Sequence, residues 1–74
     1  MGKPLPFMNR VKDLREAAGM TQAELAQSIS MTRQTVIAIE RGKYSPSLEA
    51  AFRIAQTFQV GLEDVFVWTG DVTR

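Results

Sequence analysis

The chain has 74 residues, of which 45% are hydrophobic and 23% charged, with a formal net charge of +1 at pH 7 and neither cysteine nor histidine. This length predicts one small domain and leaves no second domain to bind a small molecule. Without cysteine and histidine the chain lacks the commonest metal ligands and general base, so we expect no metal, no cofactor and no enzyme. No apolar stretch resembles a signal peptide or a membrane span, which favours a cytoplasmic protein without a membrane partner.

The charged residues are unevenly distributed along the sequence. Residues 30–47 carry Arg33, Arg41 and Lys43 against Glu40 alone, whereas residues 48–74 carry four acidic side chains and two arginines. A locally basic segment is expected where one face of a protein meets phosphates, although chance variation of surface charge accounts for this pattern equally well.

Five helices are predicted in a domain spanning residues 9–66, between an extended arm at 1–8 and a β-prone tail at 67–74. Pro4 and Pro6 exclude a helix from the arm. Cap-forming residues and glycine stops delimit the helices. The first helix is capped by Asn9 and ends at residue 18, before Gly19, and the second, at 21–28, begins with the capping box Thr21-Gln22-Ala23-Glu24. The third, at 32–41, is capped by Thr32 and ends before Gly42. Ser47 begins the fourth helix, and a short fifth helix is predicted at 62–66.

Helical periodicity assigns an inward apolar face to the four longer helices. The residues expected to be buried are Val11, Leu14, Ala18, Leu25, Ala26, Ile29, Val36, Ile39, Leu48, Ala51, Phe52, Ala55 and Phe58.

The connection between the second and third helices comprises only about residues 29–31. So short a connection is typical of a helix-turn-helix, in which the second helix projects from the domain. The small side chain of Ala26 favours a close approach of the two helices. Helical hairpins of this kind also occur in proteins that never touch DNA, so this spacing alone does not establish the function.

Two charged residues fall on the inward faces. Arg15 shares the apolar stripe of the first helix, and Glu40 lies beside the inward residues of the third. Because an unpaired buried charge costs several kcal/mol, we expect a bidentate Arg15–Glu40 ion pair that ties the first helix to the third. The alternative is that both side chains extend separately to solvent.

The outward face of the third helix has the chemistry of a DNA reader. With Val36 inward, Gln34, Ile37, Ala38 and Arg41 point outward and Arg33 and Thr35 flank the first turn, just after Thr32. Arginine bonds a guanine edge, glutamine bonds an adenine edge, and threonine, alanine or isoleucine contacts a thymine methyl. The sequence therefore predicts that segment 32–41 enters the major groove.

Other residues are predicted to hold phosphates without reading sequence. Gln22 opens the second helix, and Arg41, Lys43 and Tyr44 lie at or just after the end of the third. For Lys43 and Tyr44 the alternative is a turn that packs against the fourth helix.

The segment Val65-Phe66-Val67-Trp68 is the predicted dimer surface, since aromatic anchors are enriched at interfaces. The core is expected to bury part of it, Val65 and Phe66, whereas Trp68 lies beyond the last helix. The arm around Leu5 and Phe7 could pair with this tail as a small antiparallel sheet. The alternative for Trp68 is that it folds back onto its own domain.

With these residues together, the sequence resembles the Cro/C1-type (Xre) helix-turn-helix family. The resemblance covers about residues 9–66 and rests on three segments, Thr21-Gln22-Ala23-Glu24-Leu25-Ala26, Arg33-Gln34-Thr35-Val36, and Ile39-Glu40-Arg41-Gly42-Lys43-Tyr44-Ser45-Pro46-Ser47-Leu48. It implies an all-α, five-helix lambda-repressor-like fold with operator binding. It further implies Gln22 at a phosphate, Arg33, Gln34 and Thr35 at bases, and Arg15–Glu40 as an internal bridge. Within this family, the chain resembles the subgroup of short stand-alone repressors. This resemblance implies dimerisation through the C-terminal region.

Two positions depart from the family pattern. Ala38 stands where some members carry a longer polar reader, which shifts the expected specificity to the first turn. Gly61 stands where a serine or threonine cap is usual, which should weaken the fifth helix by only tenths of a kcal/mol. The leading hypothesis is a homodimeric repressor on a palindromic double-stranded operator, and the alternative is an antitoxin-type, protein-binding autoregulator.

Overall fold

The computed structural model describes residues 5–70, so the first four residues of the predicted arm and the last four of the tail lie outside the described residues. Five helices lie between two short strands. In chain order the elements are β1 (Phe7–Asn9), α1 (Val11–Ala17), α2 (Gln22–Ser28), α3 (Arg33–Glu40), α4 (Leu48–Thr57), α5 (Leu62–Val65) and β2 (Phe66–Trp68). Within residues 5–70, none of the helices has the length and apolarity needed to cross a membrane.

Side-chain caps begin three of the helices where the sequence predicts them. The Thr21 hydroxyl accepts a hydrogen bond from the Glu24 backbone N–H, and the Glu24 carboxylate accepts one from the Thr21 N–H, which completes a capping box. Thr32 and Ser47 cap α3 and α4 in the same way through their hydroxyls. These bonds satisfy backbone N–H groups that the first helical turn leaves without partners.

Two glycines end α1 and α3. Gly19 and Gly42 have φ values of 70° and 72°, a left-handed conformation that costs glycine little. The N–H of the residue after Gly42 donates to the Ala38 carbonyl at 2.9 Å, so the chain turns sharply away from α3 at that point.

The core lies where the inward faces of the helices meet. It comprises Val11, Leu25, Ala26, Ile29, Val36, Ile39, Ile54, Ala55 and Val65, with Leu14, Phe58 and Phe66 partly buried against it. The inward faces predicted for α2 and α3 are confirmed. Three predicted core residues are wrong, because Ala18, Leu48 and Phe52 are exposed. α4 buries Ala51 and Ala55 as predicted, together with Ala50 and Ile54 in place of Leu48 and Phe52, so the helix is rotated relative to the face that periodicity indicated.

The two strands form the small antiparallel sheet that the sequence suggested. Phe7 pairs with Trp68, Met8 with Val67, and Asn9 with Phe66. Phe66 therefore belongs to β2 and not to the fifth helix, because its φ of −118° and ψ of 129° are extended. The sheet joins the two ends of the described chain on one side of the helical core.

Asn9 does not cap α1 as predicted, because it lies in β1 and Arg10 takes the cap position without a side-chain bond. Its Oδ1 accepts a hydrogen bond from the Val11 N–H at 3.1 Å, and its Nδ2 donates to the Ile39 carbonyl at 2.9 Å. Asn9 therefore connects β1 both to the start of α1 and to the end of α3.

Candidate nucleic-acid interface

The outward side of α3 is uncovered by the rest of the domain. Val36 and Ile39 are each 1% exposed and anchor the helix to the core. The predicted reading residues lie on the other side: Arg33, Gln34 and Arg41 are exposed, and Thr35, Ile37 and Ala38 are half-buried. The structure thus brings the predicted reading residues together on one accessible helix face.

Thr32 has a structural role at the start of this face. Its hydroxyl accepts the Thr35 N–H at 3.2 Å, and the two hydroxyls lie 3.0 Å apart. The side chain is exposed, so its oxygen can still accept or donate a further bond at the helix start. These bonds fix the orientation of the first turn, which carries Arg33 and Gln34.

The predicted ion pair between α1 and α3 is present. Arg15 Nε donates to Glu40 Oε2 at 2.6 Å, and Arg15 Nη2 donates to Glu40 Oε1 at 3.3 Å. The two side chains are only 11% and 5% exposed, so the alternative in which both extend separately to solvent is wrong. Arg15 Nη1 also donates to the Met20 carbonyl, which joins the α1–α2 turn to the pair.

The Arg15 guanidinium stays charged in this environment. Its hydrogen bond to Glu40 raises the pKa of Arg15 above the ordinary value, while burial acts in the opposite direction. The Coulombic attraction of Glu40 and Glu16 raises this pKa further. Because the pKa of Arg15 is raised, its contribution to stability is lost only as pH rises through that pKa, so Arg15 remains protonated throughout the physiological range.

Gln22 joins the same network from α2. Its Nε2 donates to Glu40 Oε1 at 3.1 Å, so the carboxylate accepts bonds from two neighbouring helices. The side chain is half-buried, and its amide has a second N–H that one hydrogen bond does not use. Gln22 was predicted at a phosphate. The structure shows in addition that the hydrogen bond to Glu40 restricts the position of the Gln22 side chain.

Lys43 and Tyr44 follow the sharp turn at the end of α3. The Lys43 side chain is exposed, and Tyr44 is 43% exposed. Both therefore lie on the surface beside the C-terminal end of α3.

Lys12 is a candidate that the sequence analysis did not identify. It lies in the first turn of α1 and lines an open recess together with Gln22, Arg33 and Arg41. The sequence signal for Lys12 was its position three residues before the buried Arg15, because residues with this spacing are neighbours on a helix surface.

The predicted dimer segment divides into buried and exposed residues. Val65 is 0% exposed and belongs to the core, as expected for the part of this segment that the core buries, so it offers no surface for a dimer contact. The Phe66 ring is half-buried and meets the Phe7 ring edge-on, with centroids 5.8 Å apart and planes at 82°. Val67 and Trp68 are 40% and 58% exposed.

An apolar groove of about 400 Å³ lies beside this segment, between the sheet and α4. Its lining is Phe7, Ser45, Pro46, Leu48, Ala51, Leu62, Phe66 and Trp68. Leu48 and Phe52, the α4 residues predicted for the core, are 66% and 55% exposed on the same helix. Leu48 and Trp68 line this groove and Phe52 lies one turn further along α4, so we call Leu48, Phe52 and Trp68 the apolar surface. Val67 lies on the opposite face of β2 from Trp68.

Comparison with known proteins identifies this architecture. The model of the HTH_3 helix-turn-helix family matches residues 11–65. An uncharacterized HTH-type transcriptional regulator of Methanocaldococcus jannaschii is 48% identical over 63 residues, covering 85% of this chain and 96% of the relative. The cryptic phage CTXphi transcriptional repressor RstR of Vibrio cholerae is 30% identical over 59 residues, covering 80% of this chain and 53% of the relative.

A solved structure has the same fold. The restriction-modification controller protein C.AhdI of Aeromonas hydrophila superposes with a TM-score of 0.70 at 29% identity, covering 74% of this chain and 83% of that protein. The fold, the projecting α3 and the family match lead to one conclusion. This chain belongs to the HTH_3 helix-turn-helix family of Cro/C1 (Xre) type and is a transcriptional regulator with a DNA-binding fold.

Proposed function

We propose that this regulator is a sequence-specific repressor that binds a palindromic DNA operator as a homodimer. The observation that carries the proposal is the uncovered face of α3. Arg33, Gln34 and Arg41 extend to solvent on one side of α3. The opposite side of this helix packs against the core, and the ion pair between Glu40 and Arg15 connects it to α1. A recognition helix needs this combination, because a helix held rigidly in its domain keeps its exposed side chains in register with the edges of the nucleobases.

The side chains of this face match the groups that DNA presents in the major groove. Arg33 would bond a guanine edge and Gln34 an adenine edge, while Thr35, Ile37 and Ala38 would meet thymine methyl groups. Gln22, Lys43 and Tyr44 lie on either side of the helix and would hold backbone phosphates. These contacts set the register of the helix on the duplex without reading its sequence.

The proposed partner for the apolar surface is a second copy of this chain. α3 has only 8 residues, so one copy contacts few base pairs, and two copies on successive major grooves would double the site. Trp68 and Phe52 are both more than half exposed, which is costly for large apolar side chains that meet only water. A self-complementary contact through this surface, related by a twofold axis, would bury both.

Repression is the regulatory outcome that one relative favours. The Vibrio cholerae relative is a transcriptional repressor, although this chain spans only 53% of it. A small dimer held on an operator would block access to the DNA it covers. Such a regulator works where the chromosome is, so the proposal includes a cytoplasmic location.

Selection from a random duplex pool at a fixed salt concentration tests the proposal. We expect enrichment of a palindrome whose half-site centres lie about one helical turn, roughly 10 base pairs, apart or a multiple of this. A double variant, Arg33→Ala with Gln34→Ala, serves as the control and should enrich no matching sequence. Enrichment of a single unsymmetrical half-site would contradict the dimer, and no enrichment at all would contradict sequence-specific binding.

A further inference from the structure

An open recess of about 330 Å³ lies beside the recognition helix, where α1 and α2 meet α3. Its lining consists of Lys12 from α1, Gln22 from α2, Arg33, Ile37 and Glu40 from α3, and Arg41 at the C-cap of α3. Three helices therefore contribute polar side chains to one concave site. Lys12 has no role in the reading face described above.

The recess is positively charged because its one acidic group is already neutralised. Glu40 forms its ion pair with Arg15, which lies behind the recess in the α1–α3 interface. The charges of Lys12, Arg33 and Arg41 are left uncompensated at the lining. Between residues 5 and 70 the ion pairs are Arg15–Glu40 and Glu49–Arg53, so none of these three cations is held by a carboxylate there.

Gln22 gives the recess an oriented neutral donor. Glu40 Oε1 accepts one N–H of the Gln22 amide at 3.1 Å and so limits the rotation of that side chain. A fixed amide N–H beside mobile cationic side chains is well suited to an anion, since the amide gives direction and the cations give attraction. An anion held there would contact groups from all three helices.

We propose that this recess holds one phosphate of the DNA backbone and that Lys12 is a binding residue for it, together with Gln22 and Arg41. The inference rests on the proposed function, because it assigns one backbone contact within the same complex. Arg33 and Ile37 belong both to the recess and to the reading face, so a phosphate here is adjacent to the groove that α3 enters. Lys12 thereby makes α1 part of the DNA contact.

A DNA backbone is the occupant favoured over a small free anion. The recess is open to the side on which α3 presents its reading residues, and Lys12, Arg33 and Arg41 are all exposed. Such a site surrounds an anion on one side only, which suits a phosphate delivered by a large ligand with other contacts. A free phosphate would gain little from so open a site.

The test is the salt dependence of DNA binding by Lys12→Gln, measured with the duplex that the wild-type protein selects and with a random-sequence duplex. Loss of one phosphate contact should lower the slope of log K against log salt by about one on both duplexes. Arg53→Gln is the matched control, because it removes the same charge from α4, away from the recess. Lys12→Arg should retain the wild-type slope, and thermal unfolding should show that all variants fold.

The outcomes separate this inference from the proposed function. A wild-type protein that binds duplex DNA, with Lys12→Gln and Arg53→Gln giving equal slopes, overturns the recess assignment and leaves the proposed function intact. A loss seen with Lys12→Gln on the selected duplex alone also overturns it, since a phosphate contact acts on every sequence. Tight binding of inorganic phosphate that duplex DNA does not displace would show a small-anion site instead. A wild-type protein that binds no duplex DNA overturns both proposals.

Discussion

Arg15 and Glu40, 25 positions apart in the sequence, meet with 2.6 Å between Nε and Oε2. The pair joins α1 to the C-terminal turn of α3, and Gln22 adds a bond from α2. The recognition helix is therefore held by polar contacts from both preceding helices as well as by apolar packing. The orientation of α3 relative to the rest of the domain therefore depends on this network.

Removing one member of the pair should destabilise the fold strongly. Arg15→Met or Glu40→Leu alone leaves a buried charge without its partner, which costs roughly 3–5 kcal/mol. The combined double variant should recover much of this loss but not all, because the Met20 carbonyl and the Gln22 amide also lose a partner. Thermal unfolding of the four proteins measures the coupling, and strictly additive losses would show that the two residues act independently.

Arg33→Ala should change the sequence preference of the protein. The side chain is exposed at the start of α3, so its removal leaves the fold intact while removing one base contact. We expect a loss of about 1–3 kcal/mol on the preferred duplex and relaxed preference at one base position. Repeating the selection with this variant measures the effect, with Arg53→Ala as control, and an unchanged selected sequence rules out the base-reading role.

Lys43→Ala should weaken binding to every sequence by a similar factor. Lys43 follows the sharp turn after α3, and its exposed side chain contacts no base in the proposed complex. The slope of log K against log salt should fall by about one, as expected for one lost phosphate contact. Lys43→Arg preserves the charge and should bind like the wild type. A loss confined to one operator would point to base reading instead.

Trp68→Ala should dissociate the dimer without unfolding the domain. The Trp68 ring is 58% exposed in the single chain, so its truncation removes little of the core, whereas an interface anchor contributes about 2 kcal/mol or more, roughly 30-fold in Kd. Analytical ultracentrifugation at micromolar concentration should show a wild-type dimer and a largely monomeric variant with reduced operator affinity. Phe52→Ser provides an independent variant on α4. A monomeric wild type, or two fully dimeric variants, would exclude this surface.

The local signals in the sequence predicted most of the fold. The capping box at Thr21, the caps at Thr32 and Ser47, and the glycine stops act through neighbouring backbone groups, so they can be recognised without tertiary information. The ion pair could be predicted as well, because two charges on inward faces of a small domain have few ways to avoid isolation.

The face of α4 could not be predicted in this way. The apolar residues of α4 occupy much of its circumference. Periodicity is therefore consistent with two overlapping inward faces, one that includes Phe52 and one that includes Ile54. The structure buries Ile54 completely and leaves Phe52 exposed. Only the packing of the other helices decides between the two, and the proposed interface between copies provides a reason for an aromatic residue on the outer face.

Apart from the Arg15–Glu40 ion pair, the polar contacts across helices could not be predicted from sequence patterns either. Gln22 is predicted from the sequence to bind a phosphate, but its bond to Glu40 depends on how α2 crosses α3. Asn9 was expected at a helix cap, yet the pairing of β1 with β2 places it in a strand. The spacing of Lys12 and Arg15 is visible in the sequence, but the recess that Lys12 lines exists only where three helices meet.

Asn9 also links the proposed dimer contact to the recognition helix. It pairs with Phe66 in β2, two residues before Trp68, and it donates to the Ile39 carbonyl near the end of α3. A dimer formed through β2 would thus transmit its geometry to each recognition helix through a short, hydrogen-bonded route with no flexible linker. We expect such a dimer to tolerate poorly a base pair inserted between half-sites, because each one turns the second half-site by about 35° around the duplex axis.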